Sequence, residues 1–156
     1  MKLEPRAEAC WNEYLASLAD PAEAQGRFYE VFAIGSTRES ANEGAALIKS
    51  GVKTATSSLV WDSVAESKPM PDVGSLSIVA DGDGVPVCIV ETTALEIKPL
   101  RDVDARFAYD YGEGDRTLES WRADCLAYNR PRCLALGKSA TDEMPLLCER
   151  FVVVYP

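Results

Sequence analysis

The chain of 156 residues contains no histidine. This removes the side chain whose ordinary pKa lies nearest neutrality, so histidine-based triads, histidine general bases and imidazole metal ligands are all excluded. Long apolar runs are also missing, and nothing approaches the roughly 20 residues a membrane helix needs. Paired cysteine spacing is absent. Cys10, Cys88, Cys125, Cys133 and Cys148 are odd in number and form no C-x-x-C motif. They read as reduced, mostly buried thiols, and neither a metal site nor any other cofactor is expected. Positive charge is scarce, with 16 Lys and Arg against 25 Asp and Glu, a net charge of −9. Long nucleic acids are held mainly by neutralising phosphates, so this balance argues against tight, non-specific binding of long RNA or DNA. The start, Met1-Lys2-Leu3-Glu4-Pro5-Arg6, lacks the apolar stretch of a signal peptide. The expectation is a cytoplasmic protein without membrane partners.

What is present is concentrated in Ser50-Gly51-Val52-Lys53-Thr54-Ala55-Thr56-Ser57-Ser58, one lysine among five hydroxyl side chains. In a chain without histidine, a lysine beside a hydroxyl nucleophile is one of the few remaining routes to covalent chemistry. A lysine just past a helix C-terminus also has a plain electrostatic explanation in the helix dipole. The spacing predicts a helix over 7–19, a strand over 27–34, and a capping box at Ser36-Thr37-Arg38-Glu39. A helix then runs to about Ser50, with Ala41, Ala45 and Ile48 on one face and Gly51 past its end. A short helix over 59–65 presents Trp61. Strands are expected over 75–80 and 85–97, joined by the turn Asp81-Gly82-Asp83-Gly84. A helical segment follows over 103–109. A further helix over 117–129 has Leu118, Trp121, Cys125 and Tyr128 on one face, and Pro131 should kink or end it. A strand over 146–155 closes the chain. Strands separated by hairpins and irregular loops, rather than regular βαβ units, indicate an α+β fold.

Three further residues attract notice. Glu91 interrupts an apolar strand, where a lone carboxylate is costly. It either faces outward or meets a cation such as Lys53 or Arg122. Trp61 and Trp121 offer faces on which a nucleobase can stack, although Trp121 lies on the apolar side of its helix. Residues 116–138 form a net-basic stretch with Arg116, Arg122, Arg130, Arg132 and Lys138.

The ordered set Gly51-x-Lys53-x-x-Thr56, Val73-Gly74, Cys88-Ile89-Val90-Glu91-Thr92-Thr93, Gly112-Glu113-Gly114-Asp115-Arg116-Thr117-Leu118-Glu119-x-Trp121-Arg122 and Cys148-Glu149-Arg150-Phe151-x-Val153-Val154-Tyr155 resembles the ASCH domain family over about residues 28–156. The resemblance implies a small PUA-like β-barrel or curved sheet flanked by helices. It implies one domain, 1–156, with residues 1–27 as an N-terminal helical extension. It also implies RNA-related work: hydrolysis of the amide of an N4-acylated cytidine, non-catalytic RNA binding near translation, or ribonuclease activity. By position it assigns the catalytic lysine, threonine and glutamate to Lys53, Thr56 and Glu113, with Asp115 as a second choice for the carboxylate. Trp61, Glu91, Asp115 and Arg122 are the candidate ligand-binding residues, and the expected partner is a modified nucleoside or RNA. Where the family motif often carries an arginine two residues after the threonine, this chain has Ser58.

Within these residues the chemistry needs one arrangement. Lys53 and Thr56 would point to opposite faces of a strand, so cooperation requires a turn or irregular backbone between them. A neutral lysine would take the threonine proton, and this demands a lowered lysine pKa. In the other arrangement Glu113 holds the lysine charged and serves as the acid or base.

Overall fold

The computed structural model describes residues 2–156. Its strands form one mixed sheet in the order β1-β3-β4-β5-β2, with the elements bounded as follows. Along the chain come α1 (Pro5–Ala16), α2 (Pro21–Gln25), β1 (Phe28–Phe32), α3 (Arg38–Lys49), β2 (Ala55–Leu59), α4 (Val60–Ala65), β3 (Leu76–Ala80) and β4 (Pro86–Pro99). A 3-10 turn at Leu100–Asp102 leads to α5 (Ala105–Tyr111), α6 (Leu118–Ala135) and β5 (Pro145–Tyr155). The α+β expectation holds, and of the barrel or curved sheet expected the chain forms an open sheet whose edges are β1 and β2. Among the described residues no helix is long and apolar enough to cross a membrane.

The chain divides into two compact units. The first takes the chain up to Gly51, Pro71–Thr93 and Phe151–Pro156, and the second takes Val52–Met70 and Ala94–Arg150. In the first unit β1 runs parallel to β3, and β3 pairs antiparallel with β4. Every residue of β3 is buried, as expected of a strand covered on both faces. Leu76 and Ile78 join Ala7, Trp11 and Tyr14 of α1 in one cluster, while Val79 joins Ala45 and Ile48 of α3 in another. The alternation of a strand thus feeds two cores. The cap of α3 sits one residue later than the sequence spacing predicts. Thr37 accepts from the Ser40 backbone N–H, and Ser40 Oγ accepts from the Thr37 N–H, both at 3.1 Å. A serine at the third helical position closes the box as well as the glutamate would, because either side chain presents an oxygen to the cap N–H.

In the second unit β2 pairs antiparallel with Leu146–Arg150 of β5. Ala55, Leu59, Leu146 and Cys148 pack with Phe107 and Ala108 of α5 and with Trp121, Cys125 and Cys133 of α6. Two helix expectations need correction. Helix α6 does not end at Pro131 but runs on to Ala135, because Cys133 is fully buried in this core and packing holds the last turn despite the lost N–H. Its buried stripe runs Trp121, Cys125, Asn129, Cys133 at intervals of four, which leaves Tyr128 59% exposed.

Candidate active site

Helix α3 ends as expected: Gly51 adopts φ +83°, a conformation open to glycine, and turns the chain. Val52–Thr54 is then irregular before β2 begins at Ala55. The partner segment comes from α5. Asp104 caps its start by accepting from the Phe107 N–H at 2.9 Å, and Gly112 closes it in the left-handed conformation at φ +75°. The two segments dock backbone to backbone. The Thr54 N–H donates to the Asp110 carbonyl at 2.8 Å, and a Cβ on Gly112 would lie 2.6 Å from the Val52 carbonyl oxygen and 2.8 Å from Lys53 Cα. Gly112 is therefore required twice, for its φ and for this approach. The contact delivers the next residue, Glu113, to the lysine.

Lys53 is buried completely, with a side chain 0% exposed. Its ammonium lies 2.7 Å from Glu113 Oε2, donates to the Tyr111 carbonyl at 3.1 Å, and sits 3.2 Å from the centre of the Tyr111 ring. Burial pushes the lysine down to about 8, although the carboxylate of Glu113 draws it back toward its ordinary value. The Tyr111 carbonyl belongs to the last turn of a helix, which also favours positive charge. Glu113 itself is 38% exposed, so the buried charge has one flank toward solvent.

Tyr111 ties the group to β2. Burial pushes its phenol far above the ordinary range, and the nearby Thr56 and Ser57 side chains draw it partly back. Ser57 also bonds the Cys125 thiol, which burial pushes up to about 12, so this cysteine is no nucleophile. Lys53 and Glu113 are thus brought together directly, and Thr56 joins them through Tyr111. The required irregular backbone is present, at Val52–Thr54.

The other predicted residues are employed elsewhere. Asp115 accepts from the Thr117 N–H at 3.0 Å and from its hydroxyl at 2.8 Å, and the N–H bond holds its carboxyl below the usual range. It shapes the entry to α6. Arg122 donates to the Arg101 and Val103 carbonyls at 2.8 and 3.0 Å. Glu91 meets neither Lys53 nor Arg122: Arg27 Nη1 binds it at 2.6 Å in the first unit, which corrects the suggested pairing. The reason is that Arg27 enters β1 beside β3, and β3 pairs Leu76 with Glu91. Trp61 packs partly buried on the core of the second unit, with the Lys138 ammonium 5.0 Å from its ring centre. Trp121 is core, 7% exposed. Within the basic stretch, Arg132 pairs with Asp62, and Arg116 stacks 3.6 Å from the Tyr109 ring while donating to the Tyr109 carbonyl. Ser58 is exposed. A cavity of about 240 Å³ in the same unit, bounded by Glu96, Lys98, Phe107 and Arg150, is not lined by Lys53, Tyr111 or Glu113.

Sequence reasoning missed Tyr111 and Gly112. The only sign was the pair of glycines flanking Glu113, since a loop with alternating left-handed residues (Gly112, Gly114 and Arg116 at φ +75°, +63° and +64°) presents one side chain rigidly.

The sequence model of the ASCH domain matches residues 30–155. The chain belongs to the ASCH domain family. Among solved structures it is similar to an ASCH domain from Lactobacillus crispatus JV V101, at 30% identity and TM-score 0.93, covering 100% of this chain and 98% of that one. It is also similar to protein EF3133 from Enterococcus faecalis V583, at 27% identity and TM-score 0.82, covering 96% and 88%. A hypothetical protein, PH0355, shares the fold alone, at 12% identity and TM-score 0.54, covering 81% of this chain and 99% of that one. No curated protein matches the sequence. The PUA-like fold that the resemblance implied is thereby that of an ASCH domain.

Proposed function

We propose that this ASCH domain hydrolyses the amide of a modified nucleoside, an N4-acylated cytidine, with Lys53, Thr56 and Glu113 as its functional residues. The observation that carries the reading is the wholly buried Lys53 ammonium held 2.7 Å from Glu113. Burying a lysine is expensive, and a fold that needed only a surface cation past α3 would leave it in water. Perturbed ionisable groups of this kind concentrate at functional sites.

With its proton lost near pH 8, Lys53 is mostly an ammonium at neutral pH. It then serves to fix the Glu113 carboxylate, and the carboxylate moves the proton. In the proposed reaction Thr56 Oγ1 forms a bond to the acyl carbon while its proton passes to Glu113. The bond from that carbon to N4 then breaks as the proton moves on to N4, releasing cytidine. Water attacks the acyl-threonine by the same route, giving the carboxylic acid and restoring the hydroxyl. A grip on phosphates has less support, because Arg116, Arg122 and Arg132 are each engaged within the chain.

The test is turnover of N4-acetylcytidine by wild type, Lys53→Ala and Glu113→Gln. Wild-type turnover with losses of roughly 100-fold or more in both variants is expected. Rates equal to wild type in either variant would remove that residue from the chemistry.

A further inference from the structure

We infer that Tyr111 is the positioning residue of this site, a clamp that holds the Lys53 ammonium on Glu113. The inference rests on the reading of Lys53 and Glu113 as the functional pair, and it assigns a role to a residue that neither the motif nor the expected chemistry names.

Three contacts of one residue carry it. The backbone carbonyl of Tyr111 accepts from Lys53 Nζ at 3.1 Å, and the face of its ring lies 3.2 Å from the same nitrogen. The ammonium is thereby enclosed by an oxygen, a π face and the Glu113 carboxylate, which together replace its water shell. The ring cannot drift. Its edge meets Trp121 at 5.7 Å between centroids and an interplanar angle of 68°, and Phe107 packs at 6.1 Å. Its hydroxyl faces the Thr56 and Ser57 side chains of β2, which act on its titration. Gly112 follows immediately and sets the angle at which Glu113 returns to the lysine. One residue thus fixes the cation, contacts the hydroxyl proposed as nucleophile and precedes the turn that carries the carboxylate. Tyr111 acts through these groups rather than on substrate.

The experiment titrates the Lys53 side chain by NMR in wild type, Tyr111→Phe and a protein carrying pentafluorophenylalanine at position 111. The Phe variant keeps the ring and the carbonyl, and the Lys53 midpoint should stay within about 0.3 unit of wild type. The perfluorinated ring has nearly the same shape with its quadrupole reversed. The midpoint should then fall by about one unit, the size a desolvated cation–π contact commands. The variant Tyr111→Leu, a second removal of the aromatic face, is read in the same way. A midpoint unchanged by both ring replacements would overturn the clamp, as would a shift in Tyr111→Phe as large as theirs. If N4-acetylcytidine is turned over, the perfluorinated protein should lose kcat with little change in KM. If wild type turns over none, the proposed reaction falls, and the titration still decides the clamp.

Discussion

Two ion pairs, one in each compact unit, each hold a carboxylate that stood out in the sequence, and they behave oppositely. Arg27 and Glu91 sit in the first unit with side chains 32% and 33% exposed. Their hydrogen bond raises the guanidinium above its ordinary pKa, with Glu23 adding a second bond. Lys53 and Glu113 in the second unit are no farther apart than a good ion pair, yet burial dominates and the ammonium is lowered to about 8. Contact distance therefore does not separate a structural pair from the one proposed as functional. Desolvation sets the two pairs apart, because it lowers the Lys53 ammonium while Arg27 in the part-exposed pair is raised by its hydrogen bonds. Arginine suits the first role and lysine the second, since arginine stays charged in either setting.

The comparison breaks most readily at Gly112. Replacement by alanine adds a Cβ 2.6 Å from the Val52 carbonyl at a φ of +75°. A loss of about 3 kcal/mol of unfolding free energy is expected, from the left-handed strain and the backbone contact together. Denaturant melts check it, and a loss under about 0.5 kcal/mol would mean that the two segments do not meet as described. A smaller effect distinguishes the carboxylates. Glu91→Gln should cost about 1 kcal/mol and leave turnover of N4-acetylcytidine unchanged. A fall in turnover in that variant with a full complement of folded protein would make Glu91 a functional residue after all.

Much of this was legible in the sequence, for reasons that can be named. Amphipathic spacing placed α1, α3 and α6, because a single stripe decides a helix. The apolar strand around Cys88–Val90 and the closing strand β5 were plain from their β-branched residues. Thr56 was recognisable as a strand or turn threonine but β2 itself was not, since Ala55-Thr56-Ser57-Ser58 carries no apolar alternation and is set by its pairing with β5. The helix through Pro131 was hidden because tertiary packing overrides a local breaker. In the site, Lys53 and Glu113 were legible through the family resemblance, but their burial was not, because it depends on a backbone contact across some 60 residues of chain that only Gly112 allows. Tyr111 stood two residues before Glu113 in sequence without any signal of what its ring faces. Glu91 was the instructive error: a carboxylate in an apolar strand looked functional, and its partner Arg27 lay too far along the chain to be named.

Lys53 is a buried cation lowered by desolvation, and stability as a function of pH tests this most directly. A basic group whose folded pKa is lowered binds fewer protons in the folded than in the unfolded state between about 8 and 10.5. Its charge is thus a burden on the fold below about pH 8, and the burden lifts as pH rises toward 10.5. In Lys53→Met the side-chain volume is kept and the titrating charge removed, so the pH dependence of the difference in stability between the two proteins isolates Lys53. Wild type should gain about 1 kcal/mol relative to the variant between pH 7.5 and pH 9, as its Lys53 sheds its proton. The buried thiols titrate alike in both proteins and cancel from the difference. A gap that stays constant from pH 7.5 to 9 would mean that Lys53 titrates like a lysine in water, and would contradict the account.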